Sequence, residues 1–84
     1  MSCYFIIGVR LDNRVHNAAH FQQVLTENGC NIRVRLGLHE ASEKACANDG
    51  IIVLQPCGTE EEVNRLVDAL NKLEGVQAKL IDLN

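Results

Sequence analysis

One stretch constrains the fold more than any other: GIIVLQPCGTEEEVNRLVDALNKLEGVQAKLIDL, residues 50–83. It opens on a continuous apolar run, 51–55, which suits an interior strand. Pro56, Cys57 and Gly58 end that run. Thr59 and Glu62 then make a T-x-x-E capping box, whose side chains satisfy the orphan N–H groups of a helix start. Glu60, Glu61 and Glu62 favour the positive end of the helix dipole. Val63, Leu66, Val67, Leu70 and Leu73 keep a 3.6-residue period, and Glu61–Arg65 and Asp68–Lys72 are i,i+4 pairs on the outer side. Gly75 ends the helix. Val76, Ala78 and Leu80 then alternate with Gln77, Lys79 and Ile81, as in a half-buried strand. The segment is a β-α-β unit, and such units cross over right-handed.

The first half of the chain has the same plan. Residues 3–11, CYFIIGVRL, form a second strongly apolar run. Cys3, Phe5, Ile7, Val9 and Leu11 share one face; Tyr4, Ile6, Gly8 and Arg10 share the other. Asp12 or Asn13 offers an N-cap for a helix over 13–28. Its apolar stripe is Val15, Ala18, Ala19, Gln22 and Leu25, with Phe21 at the margin. Its opposite face carries His16, His20, Gln23 and Glu27, and Gly29 is the expected C-cap. NIRVRLGLH, 31–39, alternates strictly: Ile32, Val34, Leu36 and Leu38 one way, Arg33, Arg35, Gly37 and His39 the other. Residues 40–49 are polar and Ala-rich, suiting a loop or a single helical turn. The order β-α-β-β-α-β predicts an α+β ferredoxin-like sandwich over 1–84 as a single domain. It has a four-stranded antiparallel sheet with both helices on one face and strands in the spatial order fourth, first, third, second.

That architecture leaves one sheet face without helices. It is expected to carry Tyr4, Ile6, Gly8, Arg10, Arg33, Arg35, Gly37, His39, alternate residues of 51–55, Lys79 and Ile81, with Ile6, Ile52 and Leu54 or their neighbours at its centre. An apolar strip of that width calls for a partner. Either this face or the edge strand 31–39 is expected to meet another copy, in a homodimer or homotetramer. Arg33 and Arg35 have three readings. They protect an edge strand by charge, pair with the acidic helix face or Asp82 of another subunit, or hold an anion through the planar guanidinium fork.

Composition narrows the function classes. A chain of 84 residues, 46% hydrophobic and 23% charged, is globular and small. It buries only about 60–65% of its unfolded surface, so oligomerisation is a common supplement. A net charge of -3 does not favour nucleic acid or an anionic membrane. The third strand, IIVLQ, lacks the stacking aromatics of an RNA platform. The N-terminus has no basic region, and its apolar run is too short to span a bilayer. The chain is therefore expected to be cytoplasmic, and its four cysteines, Cys3, Cys30, Cys46 and Cys57, to be reduced thiols. His16 and His20 have metal-chelating spacing, and His39, Cys46 and Cys57 fall near one hairpin. Neither group completes a compact motif, and no metal or other cofactor is expected. No phosphate loop, GxSxG or activated cysteine is evident, so the chain is not expected to be an enzyme.

The segments YFIIGVRLDNR, VLTENGCNIRVRLGL and 50–83 together resemble the small stand-alone ACT-like proteins of the iron-only hydrogenase system regulator family. The chain is also similar to the C-terminal domain of nickel-responsive repressors, whose nickel-binding histidines alternate on the second strand, where this chain has Arg33 and Arg35. ACT domains bind amino acids between subunits near the turn from strand 1 to helix 1, here Asp12, Asn13 and Arg14. The resemblance implies a homo-oligomeric regulator with a small anionic or amino-acid ligand at Asp12, Asn13, Arg14, Arg33 and Arg35. The rival reading is a protein–protein interaction module or a metal-binding regulator without catalytic activity.

Overall fold

The computed structural model describes residues 2–12, 14–38 and 50–84, and the side chains of all of these except 14–18 and 38. The elements are β1 (Phe5–Leu11), α1 (Arg14–Glu27), a 3-10 turn (Gly29–Asn31), β2 (Ile32–Leu38), β3 (Gly50–Pro56), α2 (Glu60–Asn71) and β4 (Val76–Asp82). The strands form one sheet in the order β2-β3-β1-β4 with every neighbouring pair antiparallel. This is the expected ferredoxin-like topology, with the apolar runs β1 and β3 in the middle. Residues 40–49, expected as a loop or one helical turn, lie outside the described residues.

The core lies between the sheet and the two helices. Phe5, Ile7, Val9 and Leu11 of β1 pack with Ile52 and Leu54 of β3 and with Val76 and Ala78 of β4. Phe21 and Leu25 of α1 and Val63, Leu66 and Leu70 of α2 close over them. Helix α2 forms as its sequence dictates. The Glu62 N–H donates to the Thr59 hydroxyl at 3.1 Å, and the Thr59 N–H donates to the Glu62 carboxylate at 3.1 Å. The Thr59 backbone N–H, and after it the Thr59 hydroxyl donating to the same carboxylate at 3.0 Å, hold the Glu62 carboxyl below its ordinary pKa. The Glu61–Arg65 pair forms at 4.0 Å. At the far end, Lys72 donates its backbone N–H to the Asp68 carbonyl at 3.1 Å. The chain reverses through Gly75, whose φ of 75° only glycine adopts cheaply.

Helix α1 departs from its expected stripe. Among its described side chains Phe21 and Leu25 are buried, Val24 is half-buried, and Ala19 and Gln22 face solvent, whereas Val15 and Ala18 of the expected stripe lie outside the described side chains. The aromatic ring is the largest apolar surface on this helix. Its burial sets the helix rotation, so Phe21 is central and not marginal. Gly29 is not a left-handed cap either. Asn28 closes the helix by donating both its backbone and side-chain N–H to the Val24 carbonyl, and Gly29 opens the 3-10 turn.

Strand β2 is inverted relative to its expected facing. Ile32 lies opposite Pro56, but Val34 lies opposite Gln55, with an irregularity between them. Two steps along β2 match one step along β3, which makes Arg33 the extra residue of a β-bulge. Past the bulge the alternation changes sides, because the side-chain period of a strand is two. Arg35 and Gly37 fall opposite Leu54 and Ile52 on the helix side, whereas Val34 and Leu36 fall on the open side with Gln55 and Val53. The expectation that Val34 and Leu36 enter the core, and Arg35 and Gly37 lie on the open face, is corrected by this one residue. Likewise, Ile52 and Leu54 face the core, and Ile51 and Val53 face outward.

Candidate functional site

The described residues of the expected ligand set fall at two places. Asp12 follows β1, where its backbone N–H donates to the Gly75 carbonyl at 2.7 Å. Its carboxylate accepts from Arg10 Nε at 2.9 Å, an exposed ion pair that stiffens the β1–α1 turn. Asn13 lies outside the described residues; Arg14 begins α1, and its side chain is not described. Arg33 is the exposed bulge residue. Arg35 donates from Nη1 to Gln22 Oε1 at 2.9 Å, and its guanidinium stands 5.9 Å from the Phe21 ring centroid. It therefore roofs the core at α1, and its partners are neutral: an amide and a π face. Among the described residues, no carboxylate lies within ion-pair distance of Arg33 or Arg35.

Asp12 and Arg35 do not meet within one chain. Arg35 is level with Leu54 and hence with Ile7 of β1. Asp12 is five residues further along, roughly 17 Å at the strand rise of ~3.3 Å per residue. Asp82, the partner considered for an intersubunit pair, accepts from the Asn84 backbone and side-chain N–H groups at 2.9 and 2.7 Å. The backbone bond is the larger cause of its lowered pKa.

Two of the four cysteines are not reduced thiols. Cys3 and Cys57 are joined in a disulfide. They are 54 residues apart in sequence, so their spacing gave no hint of it. Antiparallel pairing brings the start of β1 beside the end of β3. Ser2 and Gly58 exchange two backbone hydrogen bonds there, each of 2.8 Å. The bond also takes Cys57 out of the His39, Cys46 and Cys57 group, whose other two members lie outside the described residues. Cys30 is an exposed free thiol. His20 is exposed, the side chain of His16 is not described, and no cluster of three or more metal-ligating residues occurs among the described residues.

Sequence reasoning missed two features. The first is Asn71 at the end of α2. Its side-chain amide donates to the Ala78 carbonyl at 2.9 Å and accepts from the Ala78 N–H at 2.8 Å. It thus satisfies, in both directions, backbone groups on the edge strand β4. An Asn late in a helix, seven residues before an alternating strand, gives no distinguishing signal. The second is the breadth of the open face. Tyr4, Val34, Leu36, Ile51, Ile81 and Leu83 are each about half to two-thirds exposed, and the register gathers them on the side away from the helices, around half-buried Ile6 and Val53.

No protein-family model matches the chain, and no curated protein matches it. Solved structures do. An uncharacterized protein from Thermotoga maritima, TM1266, is similar at a TM-score of 0.81 and 20% identity, over 95% of each chain. TftG, a 5-chloro-2-hydroxyhydroquinone dehydrochlorinase from Burkholderia phenoliruptrix AC1100, is similar at 0.55 and 16% identity, over 89% of this chain and 90% of that one. A formyltetrahydrofolate deformylase from Pseudomonas putida KT2440 is similar at 0.55 and 10% identity, over 92% of this chain and 28% of the enzyme. At these identities the likeness establishes the fold. No described helix is long and apolar enough to cross a membrane.

Proposed function

We propose that this chain is a non-catalytic, homo-oligomeric regulatory domain of the ACT-like kind that senses a small anionic or amino-acid ligand. The observation that carries this reading is the apolar sheet face left open by a two-layer fold. A domain that leaves so much apolar surface uncovered is completed by assembly. The ligand is assigned to the β1–α1 turn at Asp12, Asn13 and Arg14, with Arg33 and Arg35 supplied by a neighbouring subunit, because within one chain Asp12 and Arg35 lie roughly 17 Å apart along the sheet. Arg35 has neutral partners in Gln22 and the Phe21 ring, and a guanidinium so placed can still take a carboxylate. TftG has been solved with 2,5-dihydroxybenzoquinone, which supports a small-molecule role for a chain of this size and fold. The setting in an iron-only hydrogenase system rests on the family resemblance.

Thermal melting against amino acids, nucleotides, small carboxylates and divalent metals tests the sensing role, since a ligand that binds the native state raises the midpoint. A carboxylate or amino acid should raise it, and Arg14→Gln should abolish the rise. No shift with any compound would support the second reading, an interaction module whose open face serves assembly alone.

A further inference from the structure

We infer that two copies of this chain pair face to face through the open side of the sheet, around a shallow dip at Gly8. This rests on the homo-oligomeric reading above and specifies its contact. The register lays out the face in rows. Leu36, Val53, Gly8 and Lys79 form one row across all four strands. Val34 and Gln55 of β2 and β3, with Ile6 and Ile81 of β1 and β4, flank it on one side. Ile51, Arg10 and Gln77 flank it on the other. Tyr4 and Leu83 extend the apolar end, where the Leu83 N–H donates to the Tyr4 carbonyl at 2.8 Å. Gly8 sits on the central strand β1 with nothing within 4 Å of where its Cβ would stand. The middle of the face is therefore a depression ringed by larger side chains, able to receive a knob from an opposing sheet.

The size suits a dimer. Four strands about 4.8 Å apart and seven residues long at ~3.3 Å each give a face of roughly 19 by 23 Å. The accessible surface of side chains standing on that area exceeds its flat projection. The flat projection is about 440 Å², which puts the contact at the small end of the range whose standard is ~800 Å² per partner. Sheets stack face to face at about 10 Å, with their side chains interdigitated.

The charge pattern suits a second copy. A two-fold contact sets a patch against itself, so it must be self-complementary. The centre here is apolar and carries no like charges to oppose one another. Gln55 and Gln77 each supply a donor and an acceptor. Arg10 brings its own counter-charge in Asp12, and Lys79 lies on the edge strand, where its stem can lie along apolar surface with its head in water.

The edges are poorer candidates. The Arg33 bulge distorts one end of β2, and the Asn71 side chain occupies the outward backbone groups of β4 at Ala78.

Sedimentation equilibrium on the full chain, with Gly8→Glu and Ile81→Lys variants, tests the pairing. A Gly8→Glu side chain meets open space within its own chain, so circular dichroism should stay native. In the pair it would stand at the buried centre, and the dissociation constant should rise about a hundredfold or more. Ile81→Lys, on the exposed edge strand, should weaken pairing in the same direction if Gly8→Glu disturbs the fold. A wild-type oligomer whose mass neither folded variant changes would overturn the face-to-face pairing while leaving homo-oligomerisation standing. A wild-type monomer would overturn both and point to a different protein on this face.

Discussion

The two β-α-β halves of this molecule are built alike and differ in how firmly their sequences specify them. In the second half, α2 has a reciprocal cap and three acidic residues in its first turn, and β4 alternates in the structure as it does in the sequence. In the first half, α1 has neither an acidic first turn nor a basic last turn, and β2 changes sides at Arg33. Both edge strands read as strict alternations. The lesson is that alternation sorts residues into two sets without saying which set faces the core. In β4 the Asn71 bonds and inward Val76 and Ala78 fix the answer. In β2 a single unopposed residue reverses it, and the polar set takes the helix side, where Arg35 bonds Gln22 and lies over Phe21.

The largest effect separates the halves directly. Ala78→Glu places a carboxylate in the core side of β4 and should destabilise by about 3 kcal/mol or more. Leu36→Glu on β2 should change chain stability by less than about 1 kcal/mol, since it faces the open side. Denaturant unfolding of both variants checks this at a concentration where assembly does not contribute. Equal, large losses would mean that Leu36 belongs to the core after all.

Next in size is the staple between the halves. Reducing Cys3–Cys57, or Cys57→Ser, should lower stability by about 2–4 kcal/mol through the loop the bond closes. An unchanged midpoint with and without reductant would show that the bond does not form in solution.

Smaller is the cap that α2 has. Thr59→Ala should cost about 1 kcal/mol. The capping box also carries a pH signature. Glu62 has a lowered folded pKa, so its contribution is present above the ordinary glutamate value of about 4.3 and fades as pH falls through the folded value. Glu62→Gln should flatten the acid limb of a stability profile, and an unaltered limb would argue against the bond.

The smallest effect belongs to the bulge. Deleting Arg33 lets Ile32 keep its inward place and leaves Val34 and Leu36 outward, so the melting temperature should move by only a few degrees. In an unbulged strand the same deletion would turn one segment over to the wrong face, and a collapse in stability would refute the bulge.

Element order, strand order, the α2 cap and the cores of β1 and β4 were legible because each follows from local pattern and burial. Phe21, Arg33 and Cys57 were not. The rotation of α1 depends on which ring the sheet accepts. The facing of β2 depends on a register slip that no periodicity records, and the disulfide depends on which chain ends the topology brings together. The candidate ligand residues were named from a turn and a strand. Their separation along the sheet emerges only once the register is known, and it makes the site a question about assembly.

Native mass spectrometry of the purified chain, compared with Gly8→Glu, therefore bears most directly on the central claim that the open face is a contact between copies. The account predicts an even-numbered wild-type assembly that Gly8→Glu converts to monomer, with any retained ligand mass lost at the same step. A wild-type chain that flies as a bare monomer, or a Gly8→Glu chain of unchanged assembly mass, would contradict it.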